Sequence, residues 1–212
     1  MNTLSLSSGA KEMIDKRDFY AHPTAVVESE EIGEGTRIWH FVHVRKGSRI
    51  GRNCNIGKSS YIDIGAVIGD NVKIQNFVSV YKGVVIEDDV FIGPSATFTN
   101  DLYPRSFIWD DEHVVSTLVR KGASIGANAT VVCGLTIGEY ALVGAGSVVA
   151  EDVQPFALVL GNPAEQKGWV CYCGRRLKRP EEEDANGAVY RCEACGKTVE
   201  IEEKIRKDNR DV

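Results

Sequence analysis

The chain has 212 residues, which allows one or two domains, and a formal net charge of −5 from 25 basic and 30 acidic side chains. An acidic balance argues against a broad nucleic-acid-binding surface, which needs a basic footprint. No stretch approaches the roughly 18 apolar residues of a membrane span, and the N-terminus lacks the apolar centre of a signal peptide. We therefore expect a cytoplasmic protein that binds neither nucleic acid nor membrane.

Residues 1–18 are predicted to form an N-terminal arm, either loose or carrying a short helix from Lys11 to Arg17. An extended segment from Phe19 to Ala25 leads into the next region.

A six-residue repeat begins at Val26 and runs to Phe98 without an interruption. The repeated positions are Val26, Ile32, Ile38, Val44, Ile50, Ile56, Ile62, Ile68, Ile74, Val80, Ile86, Ile92 and Phe98. A small or branched residue lies four positions after most of these repeated positions, from Thr36 to Ala96. A fixed short period predicts a parallel β-helix, in which three strand-and-turn units close a coil of about 18 residues. A period of six does not keep a stripe on one face of an α-helix.

Two turns depart from the small residues that the repeat otherwise places there. Trp39, His40 and Phe41 follow one strand, and Gln75, Asn76 and Phe77 follow the strand two coils later. These two sets of side chains are predicted to lie at the same corner of the three-sided coil. Aromatic side chains beside imidazole or amide groups are typical of ligand clefts. The alternative is a subunit contact with a surface histidine.

The repeat is interrupted after Phe98 and resumes at Val119, which predicts a loop over residues 99–118. Loops of this length in compact domains are usually functional or disordered. This one is rich in side chains that bind ligands: Asn100, Asp101, Tyr103, Arg105, Trp109 and His113. We therefore interpret it as a functional loop rather than an unstructured excursion.

Two further coils are predicted from Val119 to Val149, with glycine and alanine at many turns. Small turns leave a groove in which a thin ligand could lie, although turn geometry alone also explains glycine. The coil is predicted to end after Pro155, and the segment Gly161 to Ala164 leads out of it.

The segment 169–200 is predicted to form a zinc-ribbon-like module. Two cysteine pairs, each followed by glycine, are Cys171 with Cys173 and Cys192 with Cys195. Four cysteines at such spacing indicate a structural Zn²⁺ site without an open coordination position, although the first pair is C-x-C rather than the usual C-x₂-C. A disulfide or idle thiols are the alternatives. Residues 201–212 are predicted to be a solvated tail.

Several segments between residues 19 and 170 resemble the acetyltransferases that act on the 3-amino group of nucleotide-linked sugars. They are IWHFVHV at 38–44, KIQNFVSVY at 73–81, EDDVFIGPSATFTNDLYPRS at 87–106 and GNPAEQKGW at 161–169. The group acting on UDP-2-acetamido-3-amino-2,3-dideoxy-glucuronate in surface polysaccharide synthesis is the most similar. The resemblance implies that residues 19–168 form an all-β, left-handed parallel β-helix. It also implies a homotrimer that binds acetyl-CoA and the nucleotide-linked aminosugar between subunits.

The resemblance also implies roles for individual residues. Asn100 matches the active-site asparagine, and His40 matches a position lining the sugar pocket. From its place in the sequence, His40 is also the first candidate for a general base, with His113 as the second. The residues implied to bind the sugar nucleotide are Phe41, Gln75, Asn76, Tyr103 and Arg105. The residues implied to contact acetyl-CoA are Gly126, Gly144, Asn162, Pro163 and Lys167.

Three other functions stay open from the sequence. One is acetylation of a dTDP-3-amino-3,6-dideoxyhexose. Another is a metalloenzyme of the carbonic-anhydrase type, which would need three of the four histidines at one site. The last is a non-enzymatic scaffold.

Overall fold

The computed structural model of the protein describes residues 18–108, 113–184 and 186–202. Three sheets run along a rod and are parallel except at the last strand of the first sheet, because each short strand pairs with the strands one coil before and one coil after it. The predicted β-helix is confirmed. Within the described ranges no helix is long and apolar enough to cross a bilayer.

The first sheet contains nine strands and runs the whole length of the rod. They are β1 (Tyr20–Ala21), β3 (Arg37–Ile38), β6 (Asn55–Ile56), β9 (Lys73–Ile74), β12 (Phe91–Ile92), β15 (Ser124–Ile125), β18 (Leu142–Val143), β20 (Ala157–Leu160) and β21 (Glu165–Trp169).

The second sheet contains seven strands. They are β2 (Val26–Val27), β4 (His43–Val44), β7 (Tyr61–Ile62), β10 (Ser79–Val80), β13 (Thr97–Phe98), β16 (Thr130–Val131) and β19 (Val148–Val149). The third sheet contains five: β5 (Arg49–Ile50), β8 (Val67–Ile68), β11 (Val84–Ile86), β14 (Thr117–Val119) and β17 (Thr136–Ile137).

The core is a set of aliphatic columns inside the rod. Ile38, Ile56, Ile74 and Ile92 are paired in register along the first sheet, and each is fully buried. In most two-residue strands the second residue points inward and the first outward, since successive strand side chains face opposite sides. Branched side chains suit such stacked strand positions, where they pack against the same position one coil away.

Two buried hydroxyl groups at the corners are hydrogen-bonded within the chain. The Thr36 hydroxyl donates to the Gly51 carbonyl at 2.8 Å and accepts from the Cys54 amide at 3.0 Å. Ser60 donates to the Gln75 carbonyl at 3.0 Å. These bonds tie neighbouring coils together, whereas the buried Thr117 hydroxyl has no hydrogen-bond partner among the described residues.

The register at the start of the repeat differs by one residue from the prediction. Val27, not Val26, pairs with Val44, and the Val26 side chain is 53% exposed. The first coil is one residue shorter, so the inward position moves by one because a strand alternates its faces.

The loop after Phe98 leaves the rod without breaking it. Strand β14 pairs with β11 on one side and β17 on the other, so the third sheet continues across the insertion. The loop ends at Ser116 rather than at residue 118, because Thr117 and Leu118 are already paired with Val84 and Val85.

The last coil is closed by a hairpin that the sequence did not predict. Strand β20 pairs parallel with β18, and β21 then folds back antiparallel on β20. Trp169 and Val170 are buried there, so the end of the rod is covered by apolar side chains.

The C-terminal module has a three-stranded antiparallel sheet. Its strands are β22 (Glu182–Asp184), β23 (Gly187–Arg191) and β24 (Thr198–Glu202). Residues 201–202 belong to β24 rather than to the predicted tail, because Ile201 is buried in the module's core. Residues 1–17 of the predicted arm, with its helix, lie outside the described residues, as do Trp109 and the rest of the tail.

Candidate functional site

The turns at residues 39–41 and 75–77 lie on the same corner of the three-sided coil, as predicted. We call the turns between the first and second sheets the first corner. There the Ser59 amide donates to the His40 carbonyl and the Phe77 amide to the Lys58 carbonyl, both at 2.9 Å. Turns from successive coils are therefore stacked, and the side chains of His40 and Asn76 project from the same edge.

An aromatic cluster forms the N-terminal end of the first corner. The imidazoles of His22 and His40 are stacked with centroids 3.5 Å apart, and the Trp39 indole lies nearly parallel to His40. The Trp39 Nε1–H donates to Asn55 Oδ1 at 2.8 Å, which fixes the ring. Partial desolvation, followed by the charge of His40, lowers the pKa of His22.

Asn76 is held by the coil before it. Its Oδ1 accepts a hydrogen bond from the Lys58 amide at 2.9 Å. Gly57 makes this possible, since a Cβ at that position would lie 2.5 Å from the Gln75 carbonyl carbon and 2.8 Å from Asn76 Oδ1. Glycine between the two unusual turns is thus a requirement of the packing.

Phe41 and Phe77 occupy equivalent, strained positions on the first corner. Their φ angles are 58° and 62°, in the left-handed region that bulky side chains rarely adopt. Their rings are nevertheless 60% and 57% exposed. An exposed aromatic ring on strained backbone is typical of a binding surface. The sequence analysis placed Phe77 in the unusual turn but gave it no role, and it did not single out His22. Phe77 occupies the position of Phe41 two coils later, and His22 occupies that of Trp39 one coil earlier.

The predicted loop begins on a different edge, between the second and third sheets, which we call the second corner. The Asn100 carbonyl accepts from the Val115 amide at 3.0 Å, and Asp101 bridges to Val114. The Asp101 carboxylate caps the next turn by accepting from the Tyr103 amide at 2.7 Å. The base of the loop is therefore ordered by its own contacts.

The tip of the loop is apolar and exposed. Tyr103 and Phe107 are 80% and 81% exposed, and Leu102 and Ile108 are about half as exposed. Arg105 donates to the Pro104 carbonyl at 2.8 Å and is exposed. Because Asn76 and Asn100 project from different corners, one chain does not bring the two predicted groups together.

The residues predicted to contact acetyl-CoA lie farther along the rod. Gly126 and Gly144 continue the first corner, where a Cβ on Gly126 would lie 2.4 Å from the Ala145 amide nitrogen. Close stacking of turns therefore requires this glycine whether or not a ligand is bound. The Asn162–Pro163 bond is cis, and the Lys167 ammonium pairs with Glu165 at 2.5 Å on the surface.

The four cysteines predicted as metal ligands converge. Their sulfur atoms all lie within 4.8 Å of one another, with Cys171 to Cys195 at 3.5 Å and Cys173 to Cys192 at 3.7 Å. Tetrahedral Zn²⁺ with bonds of about 2.3 Å requires sulfur–sulfur distances of about 3.8 Å. The donor set and its spacing therefore fit Zn²⁺. In the described ranges this is the one group of three or more potential ligands, so the four histidines do not form a carbonic-anhydrase-like set within one chain.

The environments of the thiols differ across the cluster. Burial, and then contacts with the other cysteines, raise the pKa of Cys171 to about 12, whereas the backbone amides of Cys195 and Ala194 lower the pKa of Cys192 to about 7. Amides that point at a sulfur stabilise the thiolate that a metal needs.

An aromatic cluster joins the cysteine module to the rod. Tyr172 lies between two of the cysteines and contacts Tyr140 and Phe156 edge-on, with centroids 4.7 and 4.9 Å away. Tyr140 and Phe156 are stacked on each other at 5.3 Å. The Lys197 ammonium lies 5.6 Å from the Tyr172 ring.

Two models of known protein families match the repeats that form the coil. The family "Bacterial transferase hexapeptide (six repeats)" matches residues 31–63 and 65–100, and "Hexapeptide repeat of succinyl-transferase" matches residues 121–151. The coil is thus that of the hexapeptide-repeat transferases.

Two similar proteins indicate which hexapeptide-repeat transferases this chain is related to. The chain is 49% identical over 173 residues to a dTDP-3-amino-3,6-dideoxy-alpha-D-galactopyranose 3-N-acetyltransferase of Aneurinibacillus thermoaerophilus, covering 82% of this chain and 88% of the relative. It is 31% identical over 200 residues to the bifunctional protein GlmU of Thermotoga petrophila, of which it spans 43% of the length. The chain belongs to the nucleotide-sugar N-acetyltransferases of the left-handed β-helix type, and it is an acetyltransferase rather than a scaffold.

Two solved structures are less similar to this chain. One is PerB from Caulobacter crescentus in complex with CoA and GDP-perosamine, at 26% identity and a TM-score of 0.46, covering 71% of this chain and 57% of that one. Another is the acetyltransferase domain of PglB from Neisseria gonorrhoeae, at 23% identity and a TM-score of 0.49, covering 70% and 57%.

Proposed function

We propose that the protein transfers the acetyl group of acetyl-CoA to the amino group of a nucleotide-linked aminosugar. The observation that carries this proposal is the 49% identity to a 3-N-acetyltransferase across most of both chains. The exposed imidazole, amide and phenyl groups of the first corner supply the kind of surface that a sugar and a base would contact.

The preferred substrate is a dTDP-linked 3-amino-3,6-dideoxyhexose, since that is the class named for the 49% identical relative. The UDP-linked aminoglucuronate expected from the sequence motifs is the second candidate. Exposed Arg105, whose guanidinium could pair with a carboxylate or a phosphate, is the feature that favours it.

A shared site in a homotrimer would bring the separated residues together. The apolar tip of the loop supports this arrangement, because large exposed apolar patches mark protein interfaces. In the proposed trimer the loop carrying Asn100 and Tyr103 lies against the first corner of a neighbouring subunit.

The unprotonated amine would attack the thioester carbonyl to form a tetrahedral oxyanion. Its C–S bond then breaks, and CoA leaves as the thiolate and takes up the proton that the amine has lost. We assign the His22–His40 pair to accept the amine proton through His40. Asn100 cannot take a proton, so its amide is assigned to orient the amine or to donate to the oxyanion. Positioning and oxyanion stabilisation account for much of the rate of such reactions.

The first test is an acetyl-CoA-dependent thiol-release assay with the two sugar nucleotides. We expect turnover of the dTDP-3-aminosugar, and a fall of about 100-fold or more in Asn100→Ala because an oxyanion donor or amine-orienting group is lost. Asn186→Ala, in the exposed C-terminal hairpin, is the control. Undiminished rates in Asn100→Ala, with the protein still folded, would remove Asn100 from the site.

We further propose that the four cysteines hold one structural Zn²⁺ per chain. Cys171, Cys173, Cys192 and Cys195 would fill all four positions, so the metal would hold the module together and take no part in acetyl transfer. Elemental analysis of the purified chain should give a zinc content near one equivalent, lost in Cys195→Ser and retained in Cys133→Ala. A wild-type chain that binds no added Zn²⁺ would contradict the proposal.

A further inference from the structure

The C-terminal module contains a cleft of about 670 Å³ that is lined mainly by cations. Its basic side chains are Arg175, Arg176, Lys178, Arg179 and Arg191, and its acidic side chain is Glu193. Buried Leu177 forms an apolar wall. This concentration of positive charge contrasts with the net negative charge of the whole chain.

Two of the five cations are already occupied. The Lys178 ammonium pairs with Glu193 at 2.7 Å, and the Arg176 guanidinium donates to the Lys167 carbonyl at 2.6 Å. The second bond anchors one wall of the cleft to strand β21 of the rod.

The other three arginines lack an acceptor in the part of the chain that the structure describes. No hydrogen bond or ion pair joins the side chains of Arg175, Arg179 or Arg191 to a described residue. The Asp184 carboxylate of the nearby acidic hairpin accepts from the amides of Asn186 and Gly187 instead. Like charges held together repel one another, so the cluster favours a bound anion.

The size of the cleft and the chemistry of guanidinium indicate what that anion is. The volume is that of pockets for small organic ligands. Guanidinium forks bind phosphate through two parallel hydrogen bonds. We propose that the cleft binds the phosphate groups of a nucleotide-sized ligand.

Two sources of such phosphates fit the same chemistry. One is an adenosine diphosphate bearing a 3′-phosphate, as at one end of coenzyme A, and the other is the diphosphate of a pyrimidine sugar nucleotide. A competing explanation is that the arginines only neutralise the thiolates of the cysteine cluster, because Cys192 also lines the cleft.

The test measures binding to the zinc-loaded full chain by calorimetry. The probes are pyrophosphate, adenosine 3′,5′-diphosphate, dTDP and UDP, each at low and high salt. We expect wild type to show a binding site for at least one nucleotide that the double variant Arg179→Gln/Arg191→Gln fills about tenfold or more weakly, since two charge-assisted contacts are lost. Any binding at the site proposed for acetyl transfer should be the same in both proteins. Arg37→Gln/Arg49→Gln, with the same change of charge on the rod, is the matched control and should bind like wild type.

Every outcome bears on the proposal. Selective loss of binding in the module variant supports it, and the tighter nucleotide identifies the source. Equal binding of all four probes by wild type and both double variants overturns it. So does a loss of zinc from the module variant with nucleotide binding intact. Turnover is not measured, so failure here leaves the proposed acetyl transfer untouched.

Discussion

At the scale of single residues, the first corner keeps phenylalanine where the backbone favours glycine or asparagine. Other coils place Asn53, Asn71 or Asn128 in the left-handed region, as residues with short polar side chains tolerate it. Two aromatic residues elsewhere, Tyr140 and Phe156, share this conformation, but their rings pack on Tyr172. Phe77 adopts the same conformation and keeps its ring exposed. A strained residue that buries little is better explained by ligand contact than by stability.

Phe77→Asn should separate these two roles. We expect the free energy of unfolding to rise by about 1 kcal/mol, because asparagine is less strained there. We expect the KM for the sugar nucleotide to rise as well, because the ring is lost from the site. Urea denaturation and initial rates measure the two effects. Ser59→Asn, at the equivalent position one coil earlier, controls for the backbone effect. Unchanged kinetics in Phe77→Asn would place the ring outside the site.

At the scale of strands and turns, the corner between the third and first sheets is held by a ladder of carboxylates. Asp70 Oδ1 accepts from the Arg52 amide, and Asp88 Oδ1 accepts from the Asp70 amide, each at 2.7 Å. The Arg52 guanidinium also pairs with Asp70 at 3.0 Å. These bonds join three consecutive coils, so the ladder links turns that are distant in sequence.

Acid should weaken this ladder. The Arg52 backbone amide, and then its guanidinium, lower the pKa of Asp70, so the folded state favours the charged carboxylate. The stabilisation is present above the ordinary carboxyl pKa of about 4 and is lost as the pH falls through the lower folded pKa.

We expect the stability of wild type to fall more steeply than that of Asp70→Asn between neutral pH and about pH 3, since only wild type loses the charged contact. Urea denaturation across the pH series measures the difference. Glu200→Gln, an exposed carboxylate without a hydrogen bond in the described chain, should keep the wild-type slope. Parallel curves for wild type and Asp70→Asn would show that the ladder is not linked to protonation.

At the scale of the whole molecule, the rod separates groups that the proposed reaction needs together. Asn76 and Asn100 follow strands of different sheets, and a rigid triangular coil cannot fold one corner onto another. The loop tip provides the apolar surface through which a second rod could be held.

Phe107→Ser should therefore weaken assembly. Phe107 is 81% exposed in the single chain, and we expect it to be buried between subunits. Sedimentation analysis should show a trimer for wild type. The trimer of the variant should dissociate at protein concentrations at which wild type stays trimeric, and its activity should fall in parallel. Val26→Ser, which removes an exposed apolar side chain at the end of the rod, should stay trimeric. A monomeric wild type that turns over substrate would contradict the shared site.

The sequence by itself determined the coil, the inward columns and the corner shared by His40 and Asn76. Each of these follows from a six-residue period, which is a local property. It also predicted the four convergent cysteines, because paired spacing is local too. The tertiary structure decided the start of the repeat at Val27, the closing hairpin β20–β21 and the docking of Tyr172 on Phe156. Those features depend on contacts between segments far apart in the chain, where packing at the ends of the rod selects the register that no periodic pattern specifies.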